Sequence, residues 1–145
     1  MKLRALAMLV VATSAAHADT QADCAFLEAS ASTAPAPAVD AALKPIEKKL
    51  KNPPFSAWNK FDLLSKADRS LTKNKPEVFA LKQGQITATF VEQVDKSKVR
   101  LKLAVDDAKG KRTVNNTVTV EAGDWIILGD SQSNNAAHLI ALTCK

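Results

Sequence analysis

Ile86-Thr-Ala-Thr-Phe90 and Val99-Arg-Leu-Lys-Leu-Ala-Val105 are two stretches in which apolar residues occupy every second position. Successive side chains of a β-strand point to opposite faces of the sheet, so this alternation is typical of strands with one buried and one solvated face. Asp95-Lys-Ser-Lys98 separates the two stretches and predicts a hairpin connection. The pattern therefore predicts two neighbouring antiparallel strands.

The short-strand pattern extends in both directions from this pair, from Pro76 to the C-terminus. Four further strands are predicted, at residues 78–82, 113–120, 125–128 and 138–144. Turns are predicted at residues 107–111 and 121–124, and a polar loop at residues 129–135. Short strands that recur about every 8–14 residues are typical of antiparallel sandwiches and barrels, and we predict a mainly β fold, an antiparallel β-sandwich.

The N-terminal part of the chain has a different pattern. Residues 24–32 are predicted to form a first strand or an extended lead-in, and the Ala- and Pro-rich residues 31–38 a flexible connector. Apolar residues at three- and four-residue spacing predict one short helix over residues 39–52, with Asp40 as its N-cap. Pro53-Pro54 ends this helix, which we expect to pack against one edge or end of the sandwich.

Phe55, Trp58 and Phe61 make the following segment the most aromatic part of the chain. Large aromatic side chains dominate core energetics, so these residues are predicted to anchor the helix, with Trp58 buried between helix and sheet. The alternative interpretation is an exposed aromatic platform for a ligand.

The first residues have the order of a secretory signal peptide. Lys2 and Arg4 are followed by an uncharged, mostly apolar run and by the small-x-small motif Ala16-His-Ala18. Residues 1–18 are therefore predicted to be a signal peptide, and residues 19–145 a single β-sandwich domain that is periplasmic or secreted. No apolar segment of membrane-spanning length follows, so no transmembrane segment is expected in the mature form.

Cys24 and Cys144 are the two cysteines of the chain. In an oxidising compartment an even pair usually forms a disulfide, and we predict a Cys24–Cys144 bridge between adjacent first and last strands. A redox pair or a metal site is the alternative, but there is no CxxC motif and the predicted mature form has one histidine.

Positive charge is concentrated in one stretch. Removal of Lys2 and Arg4 lowers the formal net charge from +5 to +3, while residues 44–75 hold nine bases and three acids. Such a stretch can attract an anionic surface, or it can simply be a solvated face. Eight of its bases are the candidates for anionic-surface binding: Lys48, Lys49, Lys51, Lys60, Lys66, Arg69, Lys73 and Lys75.

The sequence presents no recognisable catalytic constellation. His138 lies in an apolar predicted strand, which favours a structural histidine over a catalytic base. Four acids at predicted strand ends, Asp106, Asp107, Asp124 and Asp130, could bind calcium, but acids in turns usually hydrogen-bond local backbone. We therefore assign no catalytic residue, no metal and no cofactor.

The segments Cys24-Ala-Phe-Leu-Glu28, Leu43-Lys-Pro-Ile-Glu-Lys-Lys-Leu50, Pro53-Pro-Phe-Ser-Ala-Trp58 and Phe61-Asp-Leu-Leu64 carry a resemblance. With the turn Ala122-Gly-Asp124, they resemble a set of small uncharacterised exported proteins of Gram-negative, myxobacteria-like bacteria. That set has no assigned activity. The resemblance implies a periplasmic or secreted location and no site residue.

These observations predict a non-enzymatic exported binding or structural module of the cell envelope, which engages a protein partner or an anionic surface. The alternative is a hydrolase or an enzyme accessory whose acidic residues cannot be identified. Lysine outnumbers arginine eight to one in residues 44–75, which argues against bidentate phosphate recognition. Nucleic acid is not expected as a partner, because the protein is predicted to be exported.

Overall fold

The computed structural model describes residues 20–133 and 135–145. The predicted signal peptide, residues 1–18, lies outside the described residues. The strands are β1 (Gln21–Ser32), β2 (Ala38–Val39), β3 (Lys60–Thr72), β4 (Glu77–Leu81), β5 (Gly84–Asp95), β6 (Lys98–Asp106), β7 (Arg112–Glu121), β8 (Ile126–Ser133) and β9 (Ala136–Cys144).

Two sheets pack face to face, which confirms the predicted β-sandwich. The first sheet has the strand order β2-β3-β1-β9-β8, and the second has the order β4-β5-β6-β7. All pairings are antiparallel except β2 with β3. The hairpin predicted around residues 95–98 joins β5 to β6, and the last two predicted strands belong to the first sheet.

Strand β1 lies at the centre of the first sheet and is buried on both faces. Cys24 and Phe26 point towards the second sheet, whereas Leu27, Ala29 and Ala31 point the other way. The sheet therefore has two apolar faces and needs two layers to cover them.

The layer between the two sheets is the larger core. Phe26 of the first sheet meets Phe79 of the second edge-on, with ring centroids 5.0 Å apart. Phe90, Leu101 and Leu142 are each 0% exposed within this core. Edge-to-face rings and fully buried aliphatic side chains are the usual basis of such sheet packing.

The outer face of the first sheet is covered by the helical segment, residues 41–50. Leu43, Ile46 and Leu50 are at most 1% exposed and pack on the apolar side chains of β1, β3 and β9. The expectation that the helix packs at an edge or end was wrong. The central strands, not the edges, present the apolar surface that the segment has to bury.

The helical segment is shorter than the predicted helix over residues 39–52. It is a 3₁₀ helix over Ala41–Ile46 that continues as one α-helical turn over Glu47–Leu50. The Asp40 N-cap is confirmed, since its carboxylate accepts a hydrogen bond from the Ala42 N–H. Pro45 has no N–H to donate, and short 3₁₀ turns are common where helices begin.

The predicted connector, residues 31–38, is only partly a connector. Its first two residues complete β1, and Ala38–Val39 forms β2, which pairs in parallel with the start of β3. Asn59 holds the remaining loop, because its side chain accepts a hydrogen bond from the Ala34 N–H and donates one to the Ala34 carbonyl.

Strand β3 was not predicted from the sequence, and β8 is longer than its prediction. Residues 60–72 form the longest strand of the described chain, and β8 continues to Ser133 through residues that were predicted to be a loop. A bulge beside Ala29 breaks the alternation of β3, where Leu64 has no register partner. Strand β8 lies at the edge of its sheet and is open to water along that edge. It can therefore continue through polar residues.

The Cys24–Cys144 disulfide is confirmed. The two residues are direct register partners on adjacent antiparallel strands, with their Cα atoms 4.1 Å apart. The bridge joins positions 120 residues apart and ties β1 to the end of β9.

Trp58 differs from its prediction. Its side chain is half-buried at the margin of the outer core, whereas Phe61, which begins the apolar part of β3, is 3% exposed. Phe61 therefore anchors the segment more than Trp58 does, because it belongs to a strand that the helical segment covers.

Removal of the disulfide is expected to lower the free energy of unfolding by about 4–5 kcal/mol, because a very long loop is released in the unfolded chain. The test compares urea unfolding of wild type with Cys24→Ala/Cys144→Ala. Wild type treated with reductant serves as the control and should match the variant. An unchanged midpoint in the variant would contradict the prediction.

Truncation of the two aromatic residues separates their roles. Phe61→Ala is expected to cost about 3–5 kcal/mol of unfolding free energy, as for a fully buried aromatic residue. Trp58→Ala should cost roughly half as much, since part of its surface is already in water. Equal losses in thermal or urea unfolding would show that Trp58 is buried in solution.

Candidate functional site

The eight predicted basic residues are divided between two elements. Lys48, Lys49 and Lys51 lie on and just after the α-helical turn, and all three are exposed. Their neighbours Ile46 and Leu50 point into the outer core, so the lysines point to solvent. The other five predicted bases lie along β3 or just beyond its end.

Strand register shows which bases of β3 share a face with the helical segment. Lys66 pairs with Leu27, which belongs to the outer core, so Lys66 lies on the outer face of the first sheet. Arg69 pairs with the inward-pointing Cys24, and its guanidinium lies 4.7 Å from the centroid of the Phe79 ring.

The remaining predicted bases lie elsewhere. Lys60 precedes the outward-pointing Phe61 and so points to the opposite face of the sheet. Lys73 and Lys75 follow the end of β3, where Lys73 forms an isolated bridge with Phe90 of the second sheet. Lys66 therefore shares the outer face of the first sheet with the segment that carries Lys48, Lys49 and Lys51, and the other four predicted bases lie elsewhere.

Lys44 is an exposed base on the helical segment that the predicted set leaves out. Its position four residues before Lys48 was the available signal, since both belong to one helical pattern. We call Lys44, Lys48, Lys49, Lys51 and Lys66 the outer lysine face.

Two members of the outer lysine face take part in surface ion pairs. The Lys49 ammonium lies 3.3 Å from the Asp124 carboxylate, and that of Lys51 lies 3.5 Å from Glu47. Ion pairs between such exposed side chains contribute about 0–1 kcal/mol, so a stronger anionic partner can replace them.

Glu28 is the centre of a buried polar cluster that was not predicted from the sequence. This residue is 1% exposed and faces the space between the sheets. Its Oε1 accepts hydrogen bonds from the Ser65 hydroxyl at 2.6 Å and the Lys82 N–H at 2.7 Å. Its Oε2 accepts one from the Gln83 N–H at 3.0 Å and lies 2.7 Å from His138 Nε2.

The Glu28 cluster joins the two sheets at one end of the sandwich. Burial of the carboxyl by itself raises the pKa of Glu28, but the hydrogen bonds from His138, Ser65, Lys82 and Gln83 outweigh it and lower the pKa to about 2. An ionised carboxylate only accepts, so Nε2 of His138 carries the hydrogen. The cluster therefore holds the β4–β5 turn against β1, β3 and β9.

The geometry of this cluster does not match nucleophilic catalysis. A serine nucleophile needs a base within hydrogen-bond reach, but the Ser65 hydroxyl donates to the carboxylate of Glu28 and not to His138. In the described chain, every fully buried side-chain nitrogen or oxygen has a hydrogen-bond partner. The Glu28 cluster is a structural brace.

A polar cleft of about 730 Å³ opens at the same end of the sandwich. Of its acids, Asp107 accepts hydrogen bonds from the Lys109 and Lys111 N–H groups of its own turn. Nearby Asp106 is paired with Arg112, and this hydrogen bond holds the pKa of Asp106 below its usual value. These two carboxylates stabilise local structure, and Asp130 is the other acid that lines the cleft.

Neither a metal centre nor a membrane helix is found in the part of the chain that the structure describes. Residues 20–133 and 135–145 hold no group of three or more His, Cys, Asp or Glu side chains able to bind a metal ion. Over the same residues, no helix has the length and apolar character needed to cross a bilayer.

Comparisons with known proteins found no relative for this chain. No protein-family model matches it, no curated protein matches it, and no solved structure matches it.

The Glu28 brace should make stability depend on pH in acid. The pKa of Glu28 is lowered from 4.5 to about 2, so its contribution is fully present above pH 4.5 and is lost as the pH falls towards 2. Wild type is expected to lose on the order of 3 kcal/mol more than Glu28→Gln over this interval. Urea unfolding of both proteins at several pH values measures it, and parallel curves would contradict the brace.

Proposed function

We propose that this protein is a non-enzymatic exported binding module of the cell envelope, which engages an anionic surface through the outer lysine face. The observation that carries the proposal is the attachment of the helical segment. Leu43, Ile46 and Leu50 are almost completely buried, so the segment is fixed on the sheet and its lysines are held in solvent.

A surface of anionic head groups suits these side chains. Each lysine near an anionic lipid surface contributes roughly 1 kcal/mol to binding, and the attraction needs no shaped pocket. Lysine is a compact point charge on a flexible stem, which favours diffuse attraction over bidentate recognition. We expect the five members of the outer lysine face to support reversible binding at low salt.

The placement of the acids supports a non-enzymatic role. The carboxylate of Glu28 is enclosed by four hydrogen bonds, and Asp106 and Asp107 stabilise their own strand end and turn. A hydrolase needs two carboxylates, or a nucleophile and a base, that face one substrate. Glu28, Asp106 and Asp107 instead act within the fold.

The disulfide supports the exported location in the proposal. Cys24 and Cys144 are 3% and 1% exposed and are joined in one sheet. Structural disulfides persist in oxidising compartments and are rare in the cytosol of mesophiles.

Charge reversal tests the proposed surface. Lys44→Glu/Lys48→Glu/Lys66→Glu removes three exposed lysines that take part in no ion pair among the described residues. We expect binding to phosphatidylglycerol-containing vesicles at low salt to fall by at least roughly 100-fold in this variant, from about 1 kcal/mol per lysine. Vesicle co-sedimentation measures the binding, and neutral phosphatidylcholine vesicles give the background.

A matched variant separates location from net charge. Lys96→Glu/Lys102→Glu/Lys109→Glu makes the same charge change at three exposed lysines of the second sheet and its turns. This control variant should keep most of the vesicle binding of wild type. The binding of wild type itself should fade as added salt shortens the Debye length from about 10 Å at 0.1 M to about 3 Å at 1 M. Equal loss in both variants, or no binding by wild type at low salt, would overturn the proposal.

A further inference from the structure

A groove of about 300 Å³ opens between the end of the helical segment and the start of β8. Five of its lining residues are apolar: Pro53, Phe55, Trp125, Ile126 and Ile127. Phe55, Trp125 and Ile127 pack against the outer core but are only partly buried. The groove therefore exposes apolar surface on the side of the molecule that carries the outer lysine face.

The walls of the groove are held in place by the fold. Ile127 is the register partner of Ala141, which belongs to the outer core, so its side chain lies on the outer face of the first sheet. The Phe55 ring lies over the same strand, where a Cβ added at Gly129 would be 4.0 Å from Cε1 of the ring. Both walls are fixed before any ligand arrives, which reduces the entropy cost of binding.

Among the described residues that line the groove, Lys49 is the one cation. The Asp124 carboxylate oxygen that accepts a hydrogen bond from the Trp125 N–H at 2.9 Å also lies 3.3 Å from the Lys49 Nζ. This shared oxygen holds the ammonium close to Trp125. The Lys49 and Asp124 side chains are 45% and 55% exposed, so their ion pair is weak and the ammonium is open to a stronger anion.

We propose that this groove binds one acyl chain of an anionic phospholipid, with the lipid phosphate at Lys49. The inference rests on the proposed function, in which the outer lysine face meets an anionic lipid surface, and it adds a shaped apolar contact to that diffuse attraction. An acyl chain needs no hydrogen-bond partner, and its contact with Phe55, Trp125 and Ile127 removes apolar surface from water. A cation next to an apolar groove matches the phosphate and the chain of one lipid molecule.

The size and charge of the groove limit what it binds. A volume of about 300 Å³ is at the lower end of small-molecule sites, which suits part of one chain and not a whole lipid. Lys49 is a point charge, so it selects the sign of the head group and not its identity. Short-chain anionic lipids should therefore bind, whereas lipids without net charge should bind more weakly.

Titration with dihexanoyl-phosphatidylglycerol below its critical micelle concentration tests the groove without a membrane. The chain has two tryptophans, so Trp58→Phe leaves Trp125 as the only one. The emission of Trp125 should shift to shorter wavelength and saturate, because the acyl chain displaces water from the indole. Glycerol phosphate, which has the charge but no chain, should give no shift, and dihexanoyl-phosphatidylcholine should bind at least about threefold more weakly.

Matched variants, measured by calorimetry in the wild-type background, test the two parts of the site. Lys49→Gln should raise the dissociation constant for dihexanoyl-phosphatidylglycerol at least about threefold, whereas Lys51→Gln, which also removes a lysine from a surface ion pair, should leave it unchanged. Ile127→Thr should raise it by a similar factor, whereas Val94→Thr, a matched change at an exposed residue of the second sheet, should not. Thermal unfolding of each variant checks that folding is retained.

No saturable shift with dihexanoyl-phosphatidylglycerol, an equal shift with glycerol phosphate, or equal effects within either matched pair would overturn this proposal. None of these results bears on vesicle binding through the outer lysine face, which co-sedimentation measures separately. Loss of vesicle binding with an intact response to the short-chain lipid would instead overturn the proposed function and leave the groove as a lipid site.

Discussion

The burial of β1 on both faces is the constraint on which the rest of the structure depends. A strand with apolar side chains on alternate faces requires one layer of cover on each side. The second sheet covers the face that carries Phe26, and the helical segment covers the face that carries Leu27 and Ala29. The disulfide at Cys24 and the brace at Glu28 then join this central strand to its neighbours. The surface function proposed for the lysines follows from the same constraint, because the apolar residues that bind the helical segment to β1 also fix which of its side chains point to solvent.

Much of the fold was predictable because its strands follow simple alternation. The sandwich and the hairpin of β5 and β6 could be predicted, since one-sided burial leaves a period of two in the sequence. The disulfide could be predicted because the chain has one even pair of cysteines and an export pattern. Strand β3 could not be predicted, because its bulge at Leu64 breaks that period. The second half of the strand also carries Lys66 and Asp68 at exposed positions. The helical segment was placed on the wrong surface because a sequence pattern identifies an apolar face but not its partner. Only the assembled sheet shows that the apolar surface left uncovered by the second sheet lies over its central strands.

The candidate site was predictable as a charge excess but not as a surface. Counting bases along the chain joins Lys48 to Lys75, although Lys66 is the one predicted base of β3 that lies on the same face of the first sheet as the helical segment. The Glu28 cluster was beyond reach for a related reason: its members come from residues 28, 65, 82–83 and 138, and no local pattern joins them. A single acid within the apolar run of β1, and a single histidine in the apolar β9, were the available signals. Each of them alone is as consistent with an exposed strand residue as with a buried pair.

The most direct test of the central claim is amide hydrogen exchange of the disulfide-bonded protein with and without phosphatidylglycerol vesicles at low salt. The claim is that the helical segment, held on the outer face of β1, is the contact surface. It predicts additional protection in residues 41–51 and around Lys66 when vesicles are present, with no change in β5 and β6. Additional protection in the second sheet, or none anywhere while the protein is bound, would contradict it.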